Sequence, residues 1–145
     1  MIKDYCWQHL MGNERMAVRP SHIPNAGRGL FVFKEIKPNM TLLQYTGDEI
    51  TAEQLRGRYA HSDGRYVVQI DANHFIDARS TQSSVARYAN TCRQQSKQEG
   101  YCTGNNARLA VDASRKRVAL KATRNIHAGD EIFVAYGRGH RIVQE

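Results

Sequence analysis

The apolar residues of this chain come in short runs, and turn chemistry closes each run within a few residues. Met16-Ala17-Val18-Arg19 stops at Pro20, Leu30-Phe31-Val32-Phe33 is soon followed by Lys37-Pro38-Asn39, and Thr41-Leu42-Leu43-Gln44-Tyr45 ends at Thr46-Gly47-Asp48. Runs this short, rich in β-branched and aromatic residues and bounded by Gly, Pro, Asn and Asp, predict strands. Further strands are predicted at 66–70 and 74–76 around Asp71-Ala72-Asn73, in a hairpin of 107–111 with 117–122, and at 131–136. Helix is confined to 51–60, where Thr51 is placed to cap the first turn, and to one turn at 85–89. Residues 93–106 are polar and contain glycine, which reads as a loop. The fold class is therefore mostly β.

At 145 residues, 41% hydrophobic and 24% charged, the chain suits one packed domain rather than a disordered segment. No apolar run approaches the roughly 18 residues of a membrane span. The start, Met1-Ile2-Lys3-Asp4-Tyr5, lacks the apolar stretch of a secretory signal. Three cysteines, Cys6, Cys92 and Cys102, are an odd number, which points to free thiols in a reducing compartment. The formal charge of +7 favours polyanions, either nucleic acid or a protein that sits on it. Acidic residues concentrate in the middle, at Asp48, Glu49, Glu53, Asp63, Asp71 and Asp77. A groove lined by them would accept a basic peptide.

Three segments carry chemistry. Gly27-Arg28-Gly29 allows close backbone approach to a ligand. The strand-forming run after it excludes the dinucleotide reading, which needs a helix there. Ala86-Arg87-Tyr88-Ala89-Asn90-Thr91-Cys92 combines an arginine suited to a carboxylate with an asparagine suited to an amide or base edge. Ala128-Gly129-Asp130-Glu131-Ile132-Phe133-Val134-Ala135-Tyr136-Gly137 is a turn, a strand and a tyrosine able to position an amine. Singly, each is also compatible with a plain turn, a capped helical turn or a core tyrosine.

In this order and spacing the segments resemble the SET-domain protein lysine methyltransferases. The resemblance also takes in Ile36-Lys37-Pro38, Tyr45-Thr46-Gly47-Asp48, His74-Phe75-Ile76-Asp77-Ala78, Asn105-Asn106-Ala107 and Ile126-His127, and covers about residues 16–137. It implies a domain at 16–137 with an extension at 1–15 and a short tail at 138–145. It implies several small, mostly antiparallel sheets with a C-terminal segment threaded in a knot-like arrangement, a pseudoknot. It implies S-adenosylmethionine as cofactor, held by Gly27, Arg28, Gly29, Arg87, Tyr88 and Asn90, and Tyr136 as the catalytic tyrosine. The lysine channel would be walled by Tyr66, Val134 and Tyr136. The sequence departs from the family at Asn90-Thr91-Cys92-Arg93, where Asn-His-Ser-Cys is common, at Ser83-Ser84 for Gly-Asn, and at an insertion spanning 93–104.

The resemblance implies methyl transfer to a protein lysine, first a histone tail, in the nucleus (a host nucleus for a viral or bacterial chain), with nucleosomal DNA against the basic surface and no membrane. Val134 stands where many members carry Phe or Tyr, so di- or trimethylation is expected. No metal is assigned; a zinc set of Cys6, His9, Cys92 and Cys102 is the one combination considered. The lid over the channel is expected from residues 138–145, from Tyr5-Cys6-Trp7, from a second subunit in a homodimer, or from the substrate. Two alternatives stand beside this reading: the same chemistry on a ribosomal or other nucleic-acid-associated protein, and a non-enzymatic module that binds a peptide or nucleic acid.

Overall fold

The computed structural model describes residues 16–60, 66–79 and 85–135. Along the chain run β1 (Met16–Pro20), β2 (Arg28–Val32), β3 (Thr41–Gln44), β4 (Asp48–Ile50), α1 (Ala52–Arg58), β5 (Val67–Asp71) and β6 (His74–Asp77). A single 3₁₀ turn (Val85–Tyr88), α2 (Gln94–Gln98), β7 (Ala107–Asp112), β8 (Arg117–Ala122), β9 (Glu131–Ile132) and β10 (Val134–Ala135) follow. They form three small sheets, ordered β1-β2-β9, β10-β7-β8-β3 and β4-β6-β5. All pairings are antiparallel except β10 on β7.

The strands follow the sequence where one face alternates cleanly. In β8, Val118, Leu120 and Ala122 point inward and are at most 1% exposed, while Arg117 faces solvent. These side chains join Met16, Val18, Leu30, Val32, Ile36, Leu42, Tyr45, Val68, Ile76, Ile126, Ile132 and Val134 in one core shared by all three sheets. A smaller cluster, Ile50, Leu55, Val67 and Phe75, lies under α1. Thr51 caps α1 through a reciprocal box with Gln54, one residue beyond Glu53.

Four local expectations are corrected. The loop reading of 93–106 missed α2, which buries no side chain and so carries no apolar periodicity to read. β4 was missed for a similar reason: it has three residues, two of them exposed. The single strand expected at 131–136 breaks at Phe133, because Asn106 takes its ladder positions. Asn106 accepts from the Phe133 N–H (2.8 Å), donates its own N–H to the Phe133 carbonyl (2.8 Å), and donates its side-chain amide to the Glu131 carbonyl (3.0 Å). The chain therefore changes sheets between β9 and β10.

The fourth correction concerns thiols. Cys92 and Cys102 form a disulfide across a sequence separation of 10, so they are not free. An odd count guarantees one leftover cysteine and does not forbid a pair. The bond also uses two of the four ligands of the zinc set. The extension 1–15, which holds Cys6 and His9, and the tail 138–145 lie outside the described residues, as do Ser83-Ser84.

Two predictions concern folding. Gly47 crosses the backbone of Asp77 and Ala78 so closely that an added Cβ would overlap the Asp77 carbonyl and sit 2.9 Å from Ala78 Cα. Gly47→Ala is expected to cost about 3 kcal/mol, since backbone cannot yield as a side-chain tip can. A Cβ at Gly57 on α1 meets nothing within 4 Å. Gly57→Ala is expected to be neutral or stabilising by up to about 1 kcal/mol. Denaturant midpoints of the two variants check the contrast.

The second concerns Tyr59, which donates to Asp77 Oδ2 at 2.7 Å. Burial, and then this hydrogen bond, push its phenol up to about 12 from the usual 10.0. A pKa raised in the folded state favours the protonated phenol there. Its contribution is thus full below pH 10 and lost as pH rises towards 12. Relative to Tyr59→Phe, the wild-type midpoint should fall across that window; parallel pH profiles would refute this.

Candidate active site

The turn between β1 and β2 is closed by Asn25 and Gly27, both at positive φ (65° and 71°). It brings Gly29 against the side chain of Glu131, the first residue of β9. A Cβ at Gly29 would overlap the Glu131 carboxylate, so any other residue here would have to push that carboxylate out of its place.

Glu131 is the hub of the site, and its side chain is fully buried. One oxygen accepts from the Ser21 hydroxyl (2.7 Å) and lies 3.4 Å from the Asn90 amide nitrogen. The other accepts from the His22 backbone N–H (2.9 Å). Asn90 Nδ2 also donates to the Arg28 carbonyl (3.0 Å). The Asn90 carbonyl in turn accepts from the Val134 N–H (2.8 Å), beside the parallel bridge of Asn90 to Phe133. One network thus ties the glycine turn, the segment after the 3₁₀ turn, and residues 131–134 of β9 and β10.

A second cluster adjoins it, because the 3₁₀ turn packs on β2. Arg87 is buried, with its guanidinium 5.0 Å from the Tyr66 ring centre and 4.5 Å from that of Tyr88. It donates from Nη1 to the Arg79 carbonyl (3.1 Å) and from Nη2 to the Tyr88 hydroxyl (2.7 Å). Among the described residues, Arg87 Nε is the buried side-chain atom with no hydrogen-bond partner. Tyr66 is fixed through its carbonyl, which accepts from the Tyr45 hydroxyl (2.8 Å) and the Ala78 N–H (3.0 Å).

A cavity of about 470 Å³ opens beside Glu131, lined also by His22, Tyr101, Asn106, Arg124 and Phe133. Residues 100–104 line it as well.

A model of the SET domain matches residues 27–137. The chain belongs to the SET-domain family. This SET domain is 32% identical over 121 residues to the histone-lysine N-methyltransferase trithorax of Drosophila melanogaster, covering 80% of this chain and 3% of that protein. It is 29% identical over 115 residues to the histone-lysine N-methyltransferase SUV39H2 of Xenopus tropicalis, covering 76% of this chain and 27% of that protein. Among solved structures it resembles ctPRC2 in an autoinhibited conformation bound to S-adenosylmethionine (TM-score 0.73, 20% identity, 90% of this chain and 16% of that one). It also resembles a humanized Chaetomium thermophilum Polycomb Repressive Complex 2 bound to an inhibitor (TM-score 0.68, 22% identity, 89% and 16%). The chain therefore spans a small part of each of these relatives.

In this SET domain Gly29 and Asn90 meet Glu131, Arg28 joins them through its carbonyl on Asn90, Gly27 shapes the turn before them, and Arg87, Tyr88 and Tyr66 form the neighbouring cluster. Val134 is fully buried in the main core and pairs with Ala107, two residues short of Tyr136. Tyr136 itself lies outside the described residues. Of the acidic residues of the middle segment, Asp48, Glu49 and Glu53 are exposed, Asp63 lies outside the described residues, and three make ion pairs. Asp77 is buried against Arg58 (2.9 Å) and Tyr59, Asp48 meets the same arginine (3.1 Å), and Asp71 pairs with Lys116 and His74 (both 2.6 Å). Glu131, Ser21, His22 and Asn106 are the residues that sequence reasoning left without a role. Glu131 stood inside a quoted motif, but nothing in its neighbours indicates that it is a buried acceptor.

Proposed function

We propose that this SET domain transfers a methyl group from S-adenosylmethionine to the ε-amine of a protein lysine, with a histone tail as the first substrate. The observation that carries the reading is the buried, unpartnered arginine nitrogen of the 3₁₀ turn that packs on β2. Arg87 Nε is a charged donor in want of an acceptor. A cofactor carboxylate is the chemistry that would satisfy it. When bound, the cofactor supplies an electrophilic methyl on a sulfonium centre.

The chain's own residues do the rest. Gly27 and Gly29 let the β1–β2 turn approach the ligand, with Arg28 and Asn90 holding that turn to the strand behind it. Arg87, kept in place by Tyr66 and Tyr88, orients the carboxylate end. The target lysine reacts only as a neutral amine, and its reference pKa is about 10.4. An aromatic channel shielded from water disfavours the ammonium. Tyr66 forms one wall, and the Tyr136 hydroxyl orients the amine in line with the methyl. Val134 is small, which leaves the channel roomy enough for di- or trimethylation. The net charge of +7 suits nucleosomal DNA held beside the tail, and the relatives' chromatin enzymes favour a nuclear setting. A second copy of the chain is one source of the channel lid.

The test is methyl transfer from labelled S-adenosylmethionine to recombinant nucleosomes, free core histones and a ribosomal protein fraction, read by mass spectrometry. The expected outcome is di- or trimethylated histone lysine, with nucleosomes preferred. Strict monomethylation would refute the Val134 argument. Label only in the ribosomal fraction would keep the chemistry and change the substrate. No transfer and no cofactor binding would leave a binding module. A monomeric mass in light scattering with full activity would remove the second-copy lid.

A further inference from the structure

The segment that walls the cavity has little packing of its own. No α2 side chain is buried, and Tyr101 is 41% exposed. The Cys92–Cys102 bond ties the two ends of the segment together. Both sulfurs pack with Phe133, and Ile23 of the β1–β2 turn leans on the same cluster. The Cys92 N–H donates to Asn105 Oδ1 (2.8 Å) and Arg124 reaches the Gly104 carbonyl at 3.4 Å, closing the base of the excursion. The covalent link therefore stands where an apolar face would normally anchor a loop. Phe133, against which it packs, lies two residues beyond Glu131, at the break between β9 and β10.

We infer that the Cys92–Cys102 bond is a redox latch on the cavity wall, and that reducing it releases residues 93–104 and weakens cofactor binding. The second half rests on the methyl-transfer reading above. Opening is thiol–disulfide exchange with a dithiol. The protein S–S bond breaks, two cysteine thiols form with the two protons of the dithiol, and the dithiol becomes a cyclic disulfide. In a reducing compartment such bonds are commonly transient and sensory, which suits a latch better than a permanent staple. Without the link the segment regains loop entropy that its exposed side chains do not offset.

The whole chain, carrying Cys6→Ser so that only this pair responds, is compared oxidised and after dithiothreitol. Alkylation counted by mass spectrometry reports the thiols. Hydrogen exchange reports residues 93–104, and calorimetry reports S-adenosylmethionine affinity. Reduction is expected to speed exchange in 93–104 by about tenfold or more and to weaken cofactor affinity by about fivefold or more. The added Cys92→Ser/Cys102→Ser pair should behave as the reduced protein in both buffers. Two alkylated cysteines before any reductant, or equal exchange and affinity in both states, would overturn the latch. No cofactor binding in either state, with exchange still responding, would overturn the cofactor half and the reading beneath it while upholding the redox-held wall.

Discussion

Tyr136→Phe is expected to lower methyl transfer by about 100-fold or more, the usual scale for removing one aimed hydrogen-bonding group from a site. On the proposed reading, phenylalanine keeps the aromatic wall of the channel and removes the hydroxyl that would orient the amine and meet the electron-poor methyl hydrogens through weak C–H···O contacts. The effect should therefore fall on kcat, with KM for peptide and the affinity for S-adenosylmethionine changed by no more than about threefold. Labelled transfer under single-turnover conditions, alongside calorimetry, separates the two. A variant that retains wild-type rate would remove Tyr136 from the chemistry. A variant that loses cofactor affinity instead would make it a binding residue.

The second large effect is at Glu131. Its carboxylate, fully buried, accepts from Ser21, from the His22 N–H and at longer range from Asn90, and it backs Gly29. Glu131→Ala strands these donors together and opens a void. A loss of about 3–4 kcal/mol in folding stability is expected, with cofactor affinity falling as the β1–β2 turn loses its anchor. Glu131→Gln is the informative partner. Its amide oxygen can still face His22, and its NH₂ can donate to the Ser21 hydroxyl, which already accepts from the Ile23 N–H. Only the long Asn90 contact turns donor to donor, so the cost should be about 1 kcal/mol. Denaturant midpoints and cofactor titrations of both variants check the order. Equal losses would mean that the negative charge, rather than the accepting oxygens, holds the turn.

Gly29 is the counterpart of this argument on the neighbouring strand. The sequence marks it as a place where backbone comes close to something, and the ligand was the natural guess. The structure shows that its own requirement is the buried Glu131 carboxylate, with which the glycine turn and β9 lock together. At Arg87 the residue type suggested a carboxylate binder, and the structure shows a buried, unpartnered Nε beside two aromatic rings, on which the proposed role rests.

The sequence by itself determined the strand texture, the capped helix after Thr51, the 107–122 hairpin and the SET-domain family, because these rest on local periodicity, turn chemistry and ordered motifs. Only the tertiary structure decided the partners. Asn106 and Phe133 stand 27 residues apart, and Ser21 and Glu131 stand 110 apart. No local pattern reports such pairings, so the break in the last strand and the buried hub stayed hidden. The same holds for Cys92 and Cys102, where an odd count suggested free thiols. Whether two sulfurs meet depends on where the fold carries each end of a polar loop, and residues 93–104 hold no periodic signal to say so. The same holds for two of the acidic residues. Charges near one another in sequence read as a shared surface, but the fold turned Asp77 inward onto Arg58 and Tyr59 and gave Asp71 to Lys116, 45 residues away.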